Sequence, residues 1–299
     1  MRSLPVEVDE YLANLVVDRG LSPHTVAAYR RDLSEYVQFL EGKAPDPEIL
    51  DRFARTLSER KLAPSTISRK LAALKGFHRF LAAEGRSGDD PTRFLHAPRR
   101  PDPFPEALQV HDALALVEAP DLSTPAGRRD RALLEFLYGT GARVSEAVQL
   151  SLPMLDLIDR HVVLTGKGDR QRQVPLGGAA VAAIEQWLPD RATISARARR
   201  LTPADRDAVF LNLRGTSLSR QSAFRIVRSA ADRVGIDPSS VSPHTLRHSA
   251  ATHMVEAGAD LRSVQVLLGH AKISTTQVYT RVSPQHLFEI FLESHPRSK

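Results

Sequence analysis

Residues 242–279 carry the densest pattern of the chain and read SPHTLRHSAATHMVEAGADLRSVQVLLGHAKISTTQVY. The opening Ser-Pro pair supplies a good N-cap and a good first helical residue, so it predicts a helix start. His244 and Arg247 then share one face of the first turn, where unpaired backbone N–H groups favour an anion. A second polar segment follows Gly269 and ends at Tyr279. An anion site followed by a possible tyrosine nucleophile indicates phosphoryl transfer.

The same stretch offers a metal site as an alternative, because His244 and His248 lie four residues apart on one helix face. The zinc motif His-Glu-x-x-His is absent, since Thr245 stands where the glutamate should be, and the chain has no cysteine. We therefore expect no metal and no other cofactor, and we expect His248 and His253 either to have structural roles or to support residues of the site.

The order His-x-x-Arg, Leu-Gly-His and a tyrosine nine residues after the second histidine resembles the C-terminal signature of the tyrosine recombinases. It is most similar to the Xer group, which resolves chromosome dimers. A second motif, Thr-Gly-Ala-Arg-Val-Ser-Glu over residues 140–146, matches the first arginine motif of that family. Gly-Lys-Gly over residues 166–168 resembles the family's lysine on a β-hairpin. The resemblance implies six catalytic residues: Arg143, Lys167, His244, Arg247, His270 and Tyr279.

Without the resemblance, an arginine beside a glycine turn usually forms an ion pair, here with Glu146, and a turn lysine is usually solvated. With it, the residue types fit phosphodiester chemistry. Two guanidiniums hold the non-bridging oxygens and neutralise charge in the transition state. The histidines take the phenol proton or hydrogen-bond the phosphate, and the choice between them stays open. Lys167 could protonate the leaving 5′ oxygen, and Tyr279 would form a 3′-phosphotyrosyl bond without ATP or metal.

Composition allows this function without requiring it. The 299 residues include 41 Lys and Arg against 35 Asp and Glu, a net charge of +6, and the sequence pI is about 9.8. Such a surplus suits a polyanion but is also ordinary for a solvated surface. The absence of cysteine fits a reducing compartment, and no apolar run approaches the length of a membrane span. We expect a soluble cytoplasmic protein without a membrane partner.

The predicted fold is mainly α-helical, with a small antiparallel β-sheet in a C-terminal domain. Helical patterns over 5–18, 22–41, 47–60 and 64–84 predict a helical domain over residues 1–85, and the resemblance implies that it is a core-binding domain. Residues 86–105 are a proline-rich linker, and residues 106–299 form the catalytic domain. By the resemblance, the two domains make a C-shaped clamp on DNA. In the second domain, the pattern predicts a hairpin over 159–176, a strand over 209–211, and these helices: 109–118, 125–138, 177–188, 219–234, 243–256, 260–268 and 285–292. Helical spacing predicts that Leu261 lies in the core and that the helix over 64–84 has one core-facing stripe, formed by Ile67, Leu71, Leu74, Phe77 and Leu81.

Two helix starts in the first domain are alike, because Leu-Ser-Pro at residue 21 and Leu-Ala-Pro at residue 62 each precede a β-branched pair. Two such helix ends could straddle a phosphate backbone. Well-capped helices with solvated basic faces are the alternative. The expected DNA contacts there are Thr25, Tyr29, Arg30, Thr66, Arg69, Lys70 and Lys75. In the second domain they are Arg170, Arg172 and Lys272.

The last predicted helix is so apolar that it needs a partner surface. It packs either on its own domain or, as the resemblance implies, into a neighbouring subunit. The resemblance further implies a double-stranded DNA recombination site, a homo- or hetero-tetramer with a related recombinase, strand exchange through a Holliday junction, and a septal DNA translocase that controls it. Three alternatives remain: a phage or mobile-element integrase, a type IB topoisomerase, and a non-catalytic DNA-binding regulator.

Overall fold

The chain folds into two compact units, which we call the N-terminal unit (residues 1–102) and the C-terminal unit (residues 103–299). The structure is a computed structural model, and it describes the residues in these ranges: 3–17, 21, 23–60, 62–87, 90–95, 107–166, 169–198, 200–269 and 284–298. Each unit has its own hydrophobic core. None of the described helices is both long and apolar enough to cross a bilayer.

The N-terminal unit consists of four helices whose ends follow from local sequence. They are α1 (Leu4–Val17), α2 (Pro23–Leu40), α3 (Pro47–Glu59) and α4 (Pro64–Ala83). Three of them begin at a proline, which suits a first turn because its missing N–H would have no helical partner there. Asp46 caps α3 by accepting a hydrogen bond from the Ile49 N–H at 2.8 Å. The four predicted helices are confirmed to within one residue at each end.

The core of this unit is formed by the apolar faces of all four helices. Its centre is the stripe of α4 predicted from helical spacing, and the stripe is confirmed as buried: Ile67, Leu71, Leu74, Phe77 and Leu81. Tyr36 and His78 form a buried pair within this core, with the Tyr36 hydroxyl 2.9 Å from His78 Nε2. Burial raises the pKa of Tyr36 above its ordinary value and lowers the pKa of His78 to about 4. Both side chains are therefore neutral near pH 7.

The C-terminal unit is built around α6 (Pro125–Thr140), which is buried along most of its length. Short helices precede and follow it, α5 (Val110–Glu118) and α7 (Val144–Val148), and α6 packs against α5, α7, α8, α10 and α11. The later helices are α8 (Gly178–Arg197), α9 (Pro203–Asp207), α10 (Arg220–Arg233), α11 (Pro243–Glu256), α12 (Leu261–Leu268) and α13 (Pro284–Ser294). Most of the predicted helices are confirmed.

A three-stranded antiparallel sheet lies between α7 and α8. Its strands are β1 (Leu155–Asp156), β2 (His161–Thr165) and β3 (Gln171–Pro175), in that order across the sheet. The predicted hairpin is confirmed, with Thr165 opposite Gln171 at its closed end. The pairing of Leu155 with Val162 adds a third strand that the sequence pattern did not predict. The predicted fold, mainly helical with a small antiparallel sheet, is confirmed.

Three details of the prediction are wrong. Helix α8 continues through Pro189 to Arg197, beyond the predicted end at residue 188. Residues 209–211 are buried but do not form a strand, because successive residues bond to different segments of the chain. The Val209 N–H donates to the Leu150 carbonyl oxygen, and the Phe210 carbonyl oxygen accepts from the Leu218 N–H. Leu261, predicted in the core, is 62% exposed. It begins α12 and lies outside the buried part of that helix, which runs from residue 263 to residue 268.

The final helix, α13, packs on its own unit, which is the first of the two predicted arrangements. Phe291 is buried in a cluster with residues of α11 and α12. Beyond the helix, His295 is buried, with Nε2 3.2 Å from the Tyr138 carbonyl oxygen, and Arg297 binds the buried Glu135 at 2.6 Å. Docking into a neighbouring subunit stays a prediction.

Candidate active site

Arg143 is positioned by the turn between α6 and α7. Gly141 ends α6 with a left-handed backbone, φ 58°, which glycine adopts without steric cost. Arg143 then caps α7, and its backbone N–H donates to Glu146 Oε2 at 2.7 Å. Its Nη1 donates to Glu146 Oε1 at 2.9 Å. The ion pair expected between these residues is therefore confirmed, although Glu146 is only 2% exposed and the pair is not a surface contact.

Arg172 reaches the same carboxylate from strand β3. Its Nη1 and Nη2 donate to the two oxygens of Glu146, each at 2.8 Å, in a bidentate pair. Its Nε donates to the carbonyl oxygen of Leu267 at 2.9 Å. We predicted Arg172 as a DNA contact, and the structure places it in the hydrogen-bond network around Glu146.

Arg247 approaches from the first turns of α11. Ser242 caps that helix, since its hydroxyl accepts from the Thr245 N–H at 3.2 Å, as the sequence predicts. The guanidinium of Arg247 is buried and donates to the carbonyl oxygens of Gly141 at 2.6 Å and Leu268 at 2.7 Å. No described carboxylate forms an ion pair with it, so its hydrogen bonds go to peptide oxygens and its charge is not neutralised.

The three guanidiniums converge on the C-terminal end of α12. Arg172 binds the carbonyl oxygen of residue 267, Arg247 that of residue 268, and Arg143 that of Gly269 at 2.8 Å. These carbonyls lack helical partners and carry the negative end of the helix dipole, so they attract cations. We call Arg143, Arg172, Arg247 and Glu146 the arginine cluster.

The arginine cluster carries more positive than negative charge. Three guanidiniums face one carboxylate, which leaves an excess of two positive charges. Burial alone would raise the pKa of Glu146, but its bonds from Arg172 and Arg143 more than offset this and lower it, so the carboxylate is ionised. Burial and the charge of Arg143 lower the pKa of Arg247 to about 10, which still leaves it protonated near pH 7. An anion is the ligand that such a site attracts.

His244 lies beside the arginine cluster on α11. It is exposed at the surface, yet partial loss of water around its ring and the charges of Arg247 and Arg143 lower its pKa. A neutral imidazole near pH 7 can accept a proton. A possible metal-ligand group in the described part of the chain lies elsewhere, at Asp156, Asp159 and His161 on the β1–β2 turn. One oxygen of Asp156 there already accepts two backbone N–H groups.

Four predicted residues, Lys167, His270, Lys272 and Tyr279, lie outside the described residues. Two of them directly follow glycines at the arginine cluster. A β-carbon at Gly166 would lie 3.7 Å from Glu146 Oε1, and the Gly269 carbonyl binds Arg143. The described residues that precede Lys167 and His270 in the sequence, Gly166 and Gly269, therefore lie at the arginine cluster.

The DNA contacts predicted in the N-terminal unit occupy α2 and α4. Thr25, Tyr29, Thr66 and Lys75 are half-buried. Arg30 contacts Asp9 and Arg69 contacts Asp32 in ion pairs. Lys70 is buried, with Nζ 2.9 Å from Asp32 and 2.6 Å from Glu35, so it is the least accessible of the set. Exposed Arg170 lies at the turn end of β3. Their role in DNA binding stays a prediction.

Sequence reasoning missed two features of the C-terminal unit. It treated Glu146 only as a partner of Arg143, although the carboxylate joins two arginines. It also predicted α10 as a helix without its basic surface: the apolar side is buried and the outer side exposes Arg220, Arg225 and Arg228. Helix α10 packs on α7 and α11, which carry arginine cluster residues. Its amphipathic spacing was a usable signal for a basic surface next to the site.

Comparisons with known proteins cover the whole chain. Residues 106–286 match the model of the phage integrase family, and residues 8–85 match the SAM-like N-terminal domain of phage integrases. A Listeria innocua protein named tyrosine recombinase XerD is 40% identical over 299 residues, covering 97% of this chain and 99% of that protein. A Mycobacterium tuberculosis protein of the same name is 41% identical over 316 residues, covering all of both chains.

Among solved structures, the fold is similar to that of the XerH site-specific recombinase bound to a palindromic difH substrate in a post-cleavage complex. The TM-score is 0.70 and the identity 21%, with 96% of this chain and 84% of that chain covered. At that identity the likeness concerns the fold.

Proposed function

The chain belongs to the phage integrase family and is a site-specific tyrosine recombinase, and we propose that its arginine cluster binds the phosphodiester that Tyr279 attacks. One observation carries the proposal: the guanidiniums of Arg143, Arg172 and Arg247 have one carboxylate among them, that of Glu146, which binds Arg143 and Arg172 but not Arg247, so the cluster has positive charge left for an anion. The phosphate of the scissile strand supplies a negative charge at that place, and the transition state adds more.

The reaction follows from the residue types. The phenol oxygen of Tyr279 attacks phosphorus, a bond forms between them, and the bond from phosphorus to the 5′ oxygen breaks. An imidazole, His244 or His270, accepts the phenol proton. Lys167 gives a proton to the leaving 5′ oxygen. The product is a 3′-phosphotyrosyl bond, and attack by a 5′ hydroxyl of another strand reverses the step and releases the tyrosine.

DNA binding is divided between the two units in this proposal. Residues 1–85 form a core-binding domain, residues 86–105 a linker, and residues 106–299 the catalytic domain. The basic outer side of α10 supports a duplex lying beside the arginine cluster, since its three exposed arginines have no carboxylate partner among the described residues. The positively charged surface contacts phosphates, which sets the position of the duplex without specifying its sequence.

The biological role is chromosome dimer resolution, carried out by a tetramer that exchanges strands in two pairs through a Holliday junction. Its support is the name tyrosine recombinase XerD on full-length relatives at 40% and 41% identity. A related recombinase as second subunit and a septal DNA translocase belong to the same proposal.

The test uses labelled duplexes selected for binding from a random pool, each nicked next to a candidate cleavage position so that cleavage traps the covalent complex. Wild-type protein forms an adduct that survives denaturation, whereas Tyr279→Phe binds equally tightly and forms none. An adduct with Tyr279→Phe, or none with folded, DNA-bound wild type, overturns the assignment of the nucleophile. A supercoiled plasmid with two sites then separates strand exchange from relaxation alone, which a topoisomerase would give.

A further inference from the structure

The position of Arg172 assigns it a role beyond the six proposed catalytic residues. We infer that Arg172 is a positioning residue, which fixes Glu146 and the end of α12 so that Arg143 meets the phosphate in one orientation. This inference rests on the proposed function of the arginine cluster. It replaces the sequence-based interpretation of Arg172 as a DNA contact.

Arg143 and Arg172 share the carboxylate of Glu146. Glu146 Oε1 accepts from Nη1 of Arg143 at 2.9 Å and from Nη1 of Arg172 at 2.8 Å. Glu146 Oε2 accepts from the Arg143 backbone N–H at 2.7 Å and from Nη2 of Arg172 at 2.8 Å. The bidentate bond from Arg172 fixes the plane of the carboxylate, because both oxygens are held by one rigid fork. Arg143 is then held by a carboxylate that cannot rotate.

Arg172 also contacts the C-terminal end of α12. Arg172 donates from Nε to the carbonyl of Leu267 at 2.9 Å and packs closely against the backbone of Gly269. A β-carbon at position 269 would lie 3.1 Å from Cδ, Cζ and Nε of Arg172, which is tighter than an ordinary contact. The same Gly269 carbonyl accepts from Arg143. Arg172 therefore supports both groups that orient Arg143, Glu146 on one side and residue 269 on the other.

The accessible surface of Arg172 argues against a phosphate contact. Its side chain is 15% exposed, and all three of its nitrogens already donate within the protein. Arg170, two residues earlier on the same side of the hairpin, is exposed and forms no side-chain ion pair among the described residues. The two arginines thus provide an internal comparison between a buried positioning group and an exposed cation.

The experiment measures two quantities for each variant: the Kd for a nicked duplex across a salt series, and the rate of covalent adduct formation at saturating DNA. For Arg172→Gln we expect the rate to fall on the order of 100-fold, the loss typical of a displacement of about 1 Å, with Kd and salt dependence unchanged. Arg172→Lys keeps the charge but not the fork, so its rate is intermediate. Arg170→Gln weakens binding and reduces the salt slope by about one. Gln173→Ala, an exposed neighbour on β3, changes neither quantity.

Glu146→Gln provides a second readout through a double-mutant cycle. If Arg172 acts through Glu146, the double variant is little slower than Glu146→Gln alone, whereas independent effects multiply and contradict the inference. Weaker binding with a smaller salt slope and an unchanged saturated rate would make Arg172 a DNA contact. If adduct formation by Arg172→Gln recovers at a lower temperature, where this variant is fully folded, then Arg172 stabilises the fold and does not position Arg143. Absence of adduct in wild type would instead count against the proposed function.

Discussion

Lys70 in the N-terminal unit and Arg247 in the C-terminal unit are buried to the same degree, at 9% and 8% exposure, but the charges around them differ. Lys70 lies between the carboxylates of Asp32 and Glu35. Arg247 lies near two further guanidiniums and binds peptide carbonyls. Burial alone would lower the pKa of Lys70, yet its bonds to Glu35 and Asp32 raise it. Burial and the nearby Arg143 lower the pKa of Arg247 to about 10.

The comparison distinguishes a charge with a structural role, that of Lys70, from a charge available to bind an anion, that of Arg247. The charge of Lys70 is neutralised inside the fold, so this residue stabilises the packing of α2 against α4. The charge of Arg247 is not neutralised, and the fold bears the cost of keeping it buried. Bound phosphate would remove that cost, so binding energy and catalysis use the same uncompensated charge.

The largest effect is expected for Arg247→Gln. Removal of a guanidinium that neutralises transition-state charge should slow adduct formation at saturating DNA by about 1000-fold, or roughly 4 kcal/mol. Stability should change by less than about 1 kcal/mol, because two lost hydrogen bonds are offset by removal of a buried, unpaired charge. The measurements are single-turnover kinetics on a nicked duplex and urea unfolding of the same protein. A rate within tenfold of wild type would show that the excess charge does not serve the reaction.

Lys70→Met should give the opposite result, a loss of stability of about 3 kcal/mol. It leaves the buried carboxylate of Asp32 with Arg69 as its remaining ion-pair partner among the described residues, and breaking a buried ion pair by removing one partner is costly. Urea unfolding followed by circular dichroism measures the change. Trp187, the single tryptophan, is buried in the C-terminal unit, so its fluorescence midpoint should not move.

The double variant Asp32→Asn/Lys70→Met is the control for this prediction. It removes the charge of Asp32 together with that of Lys70 and should recover at least half of the lost stability, since a buried pair can be replaced at little cost when both partners go. If Lys70→Met alone leaves the circular dichroism midpoint in place, Lys70 is not a structural charge, and a role in DNA binding gains support.

Local rules were sufficient for most of the fold. Prolines and N-caps predicted the starts of α3 and α11, and helical spacing predicted the buried stripe of α4. The end of α8 was predicted wrongly because a proline such as Pro189 normally breaks a helix. Distant contacts hold the continuation instead: Trp187 donates to the Val209 carbonyl at 2.9 Å and Arg191 to that of Ala208 at 2.8 Å. Propensity is a weak guide where such tertiary bonds exist.

The site was predictable in its residue types but not in its connections. Arg143 and Arg247 stand in motifs, so a resemblance could identify them. One hydrogen-bond partner of Arg143 is 126 residues away and one of Arg247 is 106 residues away, and the bond from Arg172 to residue 267 spans 95 residues. Three consecutive carbonyls become a binding surface only when helix, hairpin and turn are packed together. No spacing within the sequence carries that information.

Lowering the pH should reduce the stability of both units alike, whereas Lys70→Met should reduce that of the N-terminal unit alone. Burial lowers the pKa of His78 to about 4, and burial together with nearby positive charges does the same for His295. The unfolded imidazoles take up protons near pH 6.5, so the unfolded state binds more protons between pH 6.5 and 4 and stability falls as pH falls. By pH 5 the loss is about 2 kcal/mol for each residue.

Urea unfolding at pH 7.5, 6 and 5 measures this loss. Circular dichroism follows both units and Trp187 fluorescence follows the C-terminal unit. His295→Asn should reduce the pH slope of the fluorescence midpoint, and His78→Asn should leave that slope unchanged. Equal slopes in His295→Asn and wild type would mean that the buried imidazole near Tyr138 is protonated in the fold.

The smallest effect is expected from a pair of glycines with the same backbone and different surroundings. Gly85, after α4, has φ 67° and Gly269, after α12, has φ 68°. A β-carbon at Gly85 would meet nothing within 4 Å, whereas one at Gly269 would press on Arg172 at 3.1 Å. Both alanine variants should lose about 1 kcal/mol, because the left-handed conformation strains any residue with a β-carbon. Only Gly269→Ala should also slow adduct formation, by roughly tenfold, since a shift of a few tenths of an ångström misplaces Arg172 and with it Arg143.

Urea unfolding and single-turnover kinetics on both variants measure the two effects separately. If Gly85→Ala and Gly269→Ala lose stability equally and both keep the wild-type rate, the packing of Arg172 against residue 269 does not position the arginine cluster.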